Sequence, residues 1–231
     1  MNGHPLSFTS AFWFLHSLDE IFIQEVYKFT TEKRQPFIID CGANIGLSVI
    51  YFKQLFPEAR ILAFEADPQI CNSLRENLSS YNYHDVEIVN AAVWDKEDKL
   101  TFIAEGSVGG MLHRNNSKAY NQIEVTSVRL RSYLQSHVDF LKIDIEGAEY
   151  EVLKDCQDLL GNVENMFIEY HTMPREDQKL HEILTWINKN GFKYYIREAW
   201  NNMTYPFLQT YNDSFQMQLN IFCYKEICDD K

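Results

Sequence analysis

A chain of 231 residues is longer than the commonest single domain and short for two, so one domain with some decoration is expected. Hydrophobic residues make up 45% and charged residues 23%, ordinary globular usage that excludes a disordered, collagen-like or low-complexity chain. With 21 Lys+Arg against 33 Asp+Glu the formal charge is -12, which repels phosphate backbones and anionic lipid, argues against nucleic-acid or membrane partners, and favours a small neutral or cationic ligand.

Cys41, Cys71, Cys156, Cys223 and Cys228 are odd in number and form no C-x-x-C pair, which points away from a disulfide framework or zinc knuckle and towards a reducing compartment. The start of the chain lacks the basic and apolar regions of a secretory signal, and no apolar run of about eighteen residues occurs, so the cytoplasm is the expected location.

In chain order, Phe14, Leu15, Leu18, Phe22, Val26 and Phe29 recur at steps of three and four, predicting an amphipathic helix over 12–29 that ends before Pro36. Residues 1–35 are therefore expected as an N-terminal helical extension and 36–231 as the main domain. There, short apolar runs alternate with helical periods: strands at 37–41, 61–64 and 86–93, helices at 45–56 and 68–78. Such alternation predicts βαβ units and a parallel sheet. A hairpin strand at 100–103, a glycine-bearing loop at 106–116, a strand at 123–128 and a buried central strand at 138–145 follow. Next come helices at 147–160 and 174–190 around a strand at 163–170, with Pro174 in the first turn of the second helix and Gly191 just past its end. Strands at 192–197 and 218–224 are joined too closely for a crossover helix and are predicted antiparallel.

The run FIIDCGANIGLSVIYF reads as strand, glycine turn and helix, the geometry in which a ligand meets the carboxyl edge of a parallel sheet. Dinucleotide binding asks for G-x-G-x-x-G, whereas Gly42 is followed by Asn44 and Gly46 with Leu47 next, and no Gly-Lys-Ser/Thr of a P-loop follows. Asp40 at the strand end attracts a cationic cofactor and would penalise a pyrophosphate. Glu65, closing the next strand in FEADP, can accept both hydrogen bonds of a ribose diol. Asn90 and Ala91, after the third strand, stand where a polar side chain would edge an adenine ring and a small one flank it. Lys142, Asp144 and Glu146 alternate along one strand and share a face, an arrangement too costly for core that predicts a lined cavity at the sheet edge.

The stretch from Asp40 to Gly46 is similar to the first motif of class I S-adenosylmethionine-dependent methyltransferases. IIDCGANIG and FLKIDIEGAEYEVL together resemble the two hallmark stretches of the FkbM methyltransferase family, a resemblance that covers residues 36–171. It implies an α/β, Rossmann-like class I fold: seven strands, mostly parallel with the last antiparallel, and helices on both faces. It also implies methyl transfer from S-adenosylmethionine to an oxygen of a small molecule such as a sugar or polyketide. Carried onto this chain, the cofactor residues are Asp40, Gly42, Ala43, Asn44, Gly46, Glu65, Ala66, Asn90, Ala91 and Asp144, with Asp144 and Glu146 at the transfer site. Cys41 departs from the family, where a small aliphatic residue is usual; the exchange is expected to change packing only, though a thiol so near the loop could be oxidised.

A hydroxyl acceptor must lose a proton. Lys142, Asp144, Glu146 and His171 are the candidate catalytic residues, with His171 or Asp144 favoured as base. Asp144, Glu169 and His171 could converge on magnesium or manganese, but no ligand spacing compels it and no metal is expected. Gly106, Gly109 and Gly110 could hinge a lid or simply form a surface connection; Phe12, Trp13 and Phe14 could likewise close over the pocket, but core packing is the expected use. The expected partner is a hydroxyl-bearing small molecule, and the sequence allows a homodimer. Two other readings compete: an NAD-linked oxidoreductase, disfavoured by the broken glycine spacing, and a non-catalytic scaffold, disfavoured by the intact loop beside Lys142, Asp144 and Glu146.

Overall fold

The computed structural model describes residues 1, 3–103, 111–112, 122–174, 177–208 and 215–226. In chain order the elements are α1 (Ala11–Leu18), β1 (Phe37–Cys41), α2 (Leu47–Leu55), β2 (Arg60–Phe64), α3 (Pro68–Ser80), β3 (Glu87–Val89), β4 (Ala92–Trp94), β5 (Lys99–Ile103), β6 (Met111–Leu112) and β7 (Gln122–Arg129). They continue with β8 (Val138–Ile143), α4 (Glu149–Cys156), β9 (Val163–Thr172), α5 (Leu180–Lys189), β10 (Lys193–Trp200) and β11 (Met217–Tyr224).

Seven strands form one sheet in the order β10-β11-β9-β8-β1-β2-β3. Its inner pairs are parallel, and β11 runs antiparallel to both neighbours, as the sequence predicts. Side chains alternate along β1 between two cores. Ile38 packs with Val49, Ile50 and Leu74 of α2 and α3, whereas Ile39 and Cys41 pack with Val152, Leu153, Ile183 and Ile187 of α4 and α5. Helices thus cover both faces, and all the parallel strands carry their carboxyl ends to one rim.

The chain departs from the sequence reading in several places. The helix predicted over 12–29 is α1 followed by a π-helical turn over Asp19–Ile23, and Glu25 adopts a φ of +52°. Val26 and Tyr27 are buried all the same, because an irregular segment can bury the residues that a helical spacing marks. The single strand predicted over 86–93 is β3 and β4, which belong to different sheets. The Asn90 amide between them donates to the carbonyls of Glu65 (2.8 Å) and Ala66 (3.1 Å) and so replaces ladder pairing. With β4, strands β7, β5 and β6 make a second, four-stranded sheet that the sequence does not reveal. Finally, α5 starts at Leu180 rather than Pro174, which lies in a turn; Tyr170 Oη accepts the Lys179 N–H (3.0 Å) at its start. Helix α4 is likewise shorter than predicted, its last turn giving way to a 3-10 segment at Leu160–Asn162.

Cys41, Cys71, Cys156 and Cys223 are free and buried. Burial pushes the Cys41 thiol well above its ordinary pKa, with Asp40 adding to it, so the thiol is shielded from the oxidation its position suggests. Gly106, Gly109 and Gly110, the expected lid hinge, and Cys228 lie outside the described residues. No helix among the described residues is long and apolar enough to cross a membrane.

Candidate active site

The glycine loop leaves β1 through backbone angles that side chains rarely adopt. Gly42 has a φ of +86° and Gly46 of +92°. A Cβ at Gly42 would stand 1.8 Å from the Asp144 carbonyl oxygen, so the loop after β1 and the chain after β8 touch backbone to backbone. Every N–H of this loop is engaged within the protein. Gly42 and Ala43 both donate to Phe64 O (3.0 and 2.8 Å), and Asn44 to Glu65 Oε2 (2.9 Å). Ile45 donates to Asn44 Oδ1 (2.7 Å) and Gly46 to Ala43 O (2.9 Å).

Asp40 and Lys142 are register partners on β1 and β8, and both are buried. Lys142 Nζ lies 3.3 Å from Asp40 Oδ1 and 3.2 Å from Asp144 Oδ2, and donates to Gly42 O at 2.8 Å. Burial works against its charge, but Asp144 and Asp40 outweigh burial and hold the ammonium well above its ordinary pKa. Ser48 Oγ on α2 donates to Asp40 Oδ2 (2.5 Å). Asp40 therefore sits behind the loop rather than against a ligand.

Glu65 fastens the loop to the next unit, accepting from Asn44 N and, through Oε1, from Asp67 N (2.8 Å). Burial pushes its carboxyl up to about 7 despite those two donors. Ala66, Asn90 and Ala91 stand beside it, with the Asn90 amide turned to backbone carbonyls.

A cavity of about 190 Å³ opens on the other side of the loop. Gly42, Ala43, Asn44 and Ile45 form one wall and Lys142, Asp144, Glu146 and Glu169 the floor, while Trp13, His16, Ser17 and Glu20 from the N-terminal segment and Trp200 and Gln218 from β10 and β11 close the rest. Trp200 packs with Trp13 (ring centroids 5.7 Å apart) and His16 (5.2 Å). Trp13 and Phe14 thus line the cavity, Phe14 also packing against the core as predicted, while Phe12 is 58% exposed instead of packing in the core. Trp13, His16, Ser17 and Glu20 repeat at helical spacing, a polar stripe in an apolar helix that was the available signal for this wall.

His171 is buried behind the floor rather than solvated in a loop, because β9 runs two residues further than predicted. Its Nδ1 is 3.1 Å from Glu149 Oε1, and its Nε2 is 3.4 Å from Glu169 Oε1 and 3.6 Å from Glu146 Oε2. Burial alone would discharge the ring, but Glu149, Glu169 and Glu146 outweigh it and hold its pKa well above the ordinary value. Glu149, fully buried in the first turn of α4, also accepts from Ile145 N (3.2 Å) and Gly147 N (3.0 Å). Burial raises Glu146 and Glu169 as well, with Asp144 adding to both. Glu20 is pushed up to about 7 by burial, then by Glu169 and Asp144.

Glu20 lends itself to a pH test. A carboxyl whose folded pKa is raised stabilises the fold below its unfolded value of 4.5 and loses that contribution as pH climbs through about 7. Glu20→Gln is therefore expected to gain on the natural chain by about 1–3 kcal/mol between pH 5 and pH 8, discounted for partial exposure. Urea midpoints for both chains at the two pH values measure this; parallel midpoints would show that Glu20 is ionised without penalty.

A glycine loop and carboxylates at the carboxyl rim of such a sheet define a class I methyltransferase fold, and solved structures share it. Methyltransferase FkbM from Methylobacillus flagellatus KT aligns with a TM-score of 0.54 at 14% identity, over 84% of this chain and 45% of that one. Precorrin-6y C5,15-methyltransferase from Geobacter metallireducens GS-15 aligns with a TM-score of 0.50 at 15% identity, over 89% of each chain. The Methyltransferase FkbM domain family matches residues 40–194, and the chain belongs to that family of methyltransferases. Similar relatives include Methyltransferase 1 of Beauveria bassiana, 30% identical over 65% of this chain and 71% of that protein. Another is 2-O-methyltransferase NoeI of Sinorhizobium fredii, 26% identical over 65% of this chain and 68% of that protein.

Proposed function

We propose that the chain transfers a methyl group from S-adenosylmethionine to a hydroxyl oxygen of a small molecule. The observation that carries this reading is the pairing of a donor-saturated glycine loop with a carboxylate-rich floor. A loop whose N–H groups are all spent has none left to cradle a pyrophosphate, and the neighbouring carboxylates favour a cation. That argues for a sulfonium cofactor and against a nicotinamide dinucleotide.

Gly42, Ala43, Asn44 and Gly46 would hold the cofactor at the loop, Glu65 its ribose, Asn90, Ala66 and Ala91 the adenine side, and Asp144 its cationic end. When bound, the cofactor supplies an electrophilic methyl carbon on a positively charged sulfur. Displacement at such a carbon needs alignment and exclusion of water more than further activation. Trp13, His16 and Trp200 exclude water above the floor. Asp144 or Glu146 takes the acceptor proton; Glu146, its carboxyl lifted by burial, is a stronger base than an exposed glutamate. His171 is a positioning residue: with its ring nitrogens facing Glu149, Glu169 and Glu146, it orients those carboxylates and is turned away from the acceptor. That displaces His171 from the role of base that its place in the sequence suggested. NoeI, by its name a 2-O-methyltransferase, supports oxygen as the acceptor atom.

Incubation with methyl-labelled S-adenosylmethionine and a panel of hydroxylated metabolites tests the reading. Label that survives mild alkali marks an ether and supports it; alkali-labile label, or transfer to amines alone, contradicts hydroxyl transfer. Glu65→Gln is expected to weaken cofactor binding by about 1.5–3 kcal/mol per lost charge-assisted hydrogen bond. An unchanged Kd in calorimetry would remove Glu65 from the cofactor site.

A further inference from the structure

We propose that Asp144, Glu169 and His171 form a binding site for one divalent cation of the magnesium or manganese kind, in the floor of the cavity. One ligand atom of each lies within 4.8 Å of the others. Bonds of about 2.0–2.6 Å to a single ion separate its ligand atoms by about 3–5 Å, so one ion fits all three. Asp144 follows β8, and Glu169 and His171 alternate on β9, so adjacent strands aim the donors at one point.

The donors are not a bare group of acids. Glu149 engages Nδ1 of His171 and is itself fixed by two backbone N–H groups, which leaves Nε2 as the nitrogen presented to Glu169 and Glu146. A carboxylate that orients a ligating imidazole from behind is the usual outer partner of a metal-bound histidine. An independent observation comes from β11. Asn220 stands opposite Glu169 in the β9/β11 register and is 2% exposed; its side chain hydrogen-bonds Glu20, while its side-chain oxygen has no hydrogen-bond partner among the described residues. A buried acceptor in that place calls for a cation or a donor. Around it stand the acidic side chains of Glu20, Asp144, Glu146, Glu149 and Glu169, beside Lys142 and Arg197. On binding, the ion displaces any proton on Nε2, which leaves to solvent. The ion's role, holding the acceptor's hydroxyl oxygen and lowering its proton affinity, rests on the methyltransferase reading. The binding site itself does not.

Titration of the chelator-treated chain with Mn2+ alone, followed by electron paramagnetic resonance, tests the site without acceptor or cofactor. One bound ion per chain is expected, with nitrogen modulation in its spin echo from His171. Glu169→Gln and Asp144→Asn are expected to weaken binding by at least about tenfold, while Glu58→Gln, at an exposed carboxylate remote from the cavity, leaves it unchanged. No bound Mn2+, or bound Mn2+ without nitrogen modulation, overturns the proposal; so does affinity indifferent to Glu169→Gln in a chain that folds by circular dichroism. If either variant fails to fold, the nitrogen modulation of the natural chain decides. Calorimetry with S-adenosylmethionine on the same preparation separates the two readings: cofactor binding without Mn2+ binding sinks the metal site and leaves the methyltransferase reading standing, and the converse sinks the latter.

Discussion

Replacing Gly42 with alanine is expected to cost the fold about 4 kcal/mol or more, the range reached only by severe steric or buried-charge defects. The added Cβ would lie 1.8 Å from the backbone oxygen of Asp144, and neither partner is a side chain that can swing away. Relief requires the loop to part from β8, which would carry Ala43 and Asn44 off the cavity wall and strain the Asn44–Glu65 bond. The outcome is insoluble protein or, in any folded fraction, loss of S-adenosylmethionine binding. Gly147→Ala is the control: φ is again positive, at +97°, but nothing lies within 4 Å, so only the backbone preference of about 1–2 kcal/mol is lost. Thermal unfolding of the two variants checks this, and equal losses would show that the contact between loop and strand is not tight.

Lys142→Met is expected to destabilise the chain by about 3–5 kcal/mol, because it leaves Asp40, fully buried, without its cation. For a chain of this size that is a fall in Tm of roughly 6–20 °C. The Ser48 hydroxyl still reaches Asp40, so the defect is uncompensated charge rather than a lost hydrogen bond. Adding Asp40→Asn should therefore recover part of the loss, and a double-mutant cycle reads the coupling directly. A Lys142→Met chain as stable as its parent would mean that no ion pair underlies the loop.

The parts of the site legible in the sequence are those whose spacing is fixed by one strand or one turn. Gly42, Asn44 and Gly46 follow a strand directly and Lys142 lies on β8, so glycine tolerance and period two place them; β8 ends at Ile143, two residues short of the predicted strand, and Asp144 and Glu146 reach the cavity from the turn beyond it, Glu146 with a φ of +55°. What could not be read depends on distant segments meeting. Glu20 and Trp13 reach the floor only because the N-terminal segment folds over β9 and β11, and a helical spacing says which residues share a face without saying what that face meets. Sequence also cannot distinguish Gly42 from Gly147, whose backbone angles are alike and whose surroundings are opposite. His171 was legible as titratable but not as buried, because nothing local marks where a strand ends; its partner Glu149 comes from α4. The break at Asn90 hides for a related reason: the amide bonds to carbonyls after β2, a contact between two βα units.

The most direct test of the central claim is calorimetric titration of the chain with S-adenosylmethionine and, separately, with NAD. The account predicts one S-adenosylmethionine per chain, tightening as pH rises through about 7 while Glu65 ionises, and no heat with NAD. Binding of NAD, or no binding of S-adenosylmethionine by folded protein, would contradict it.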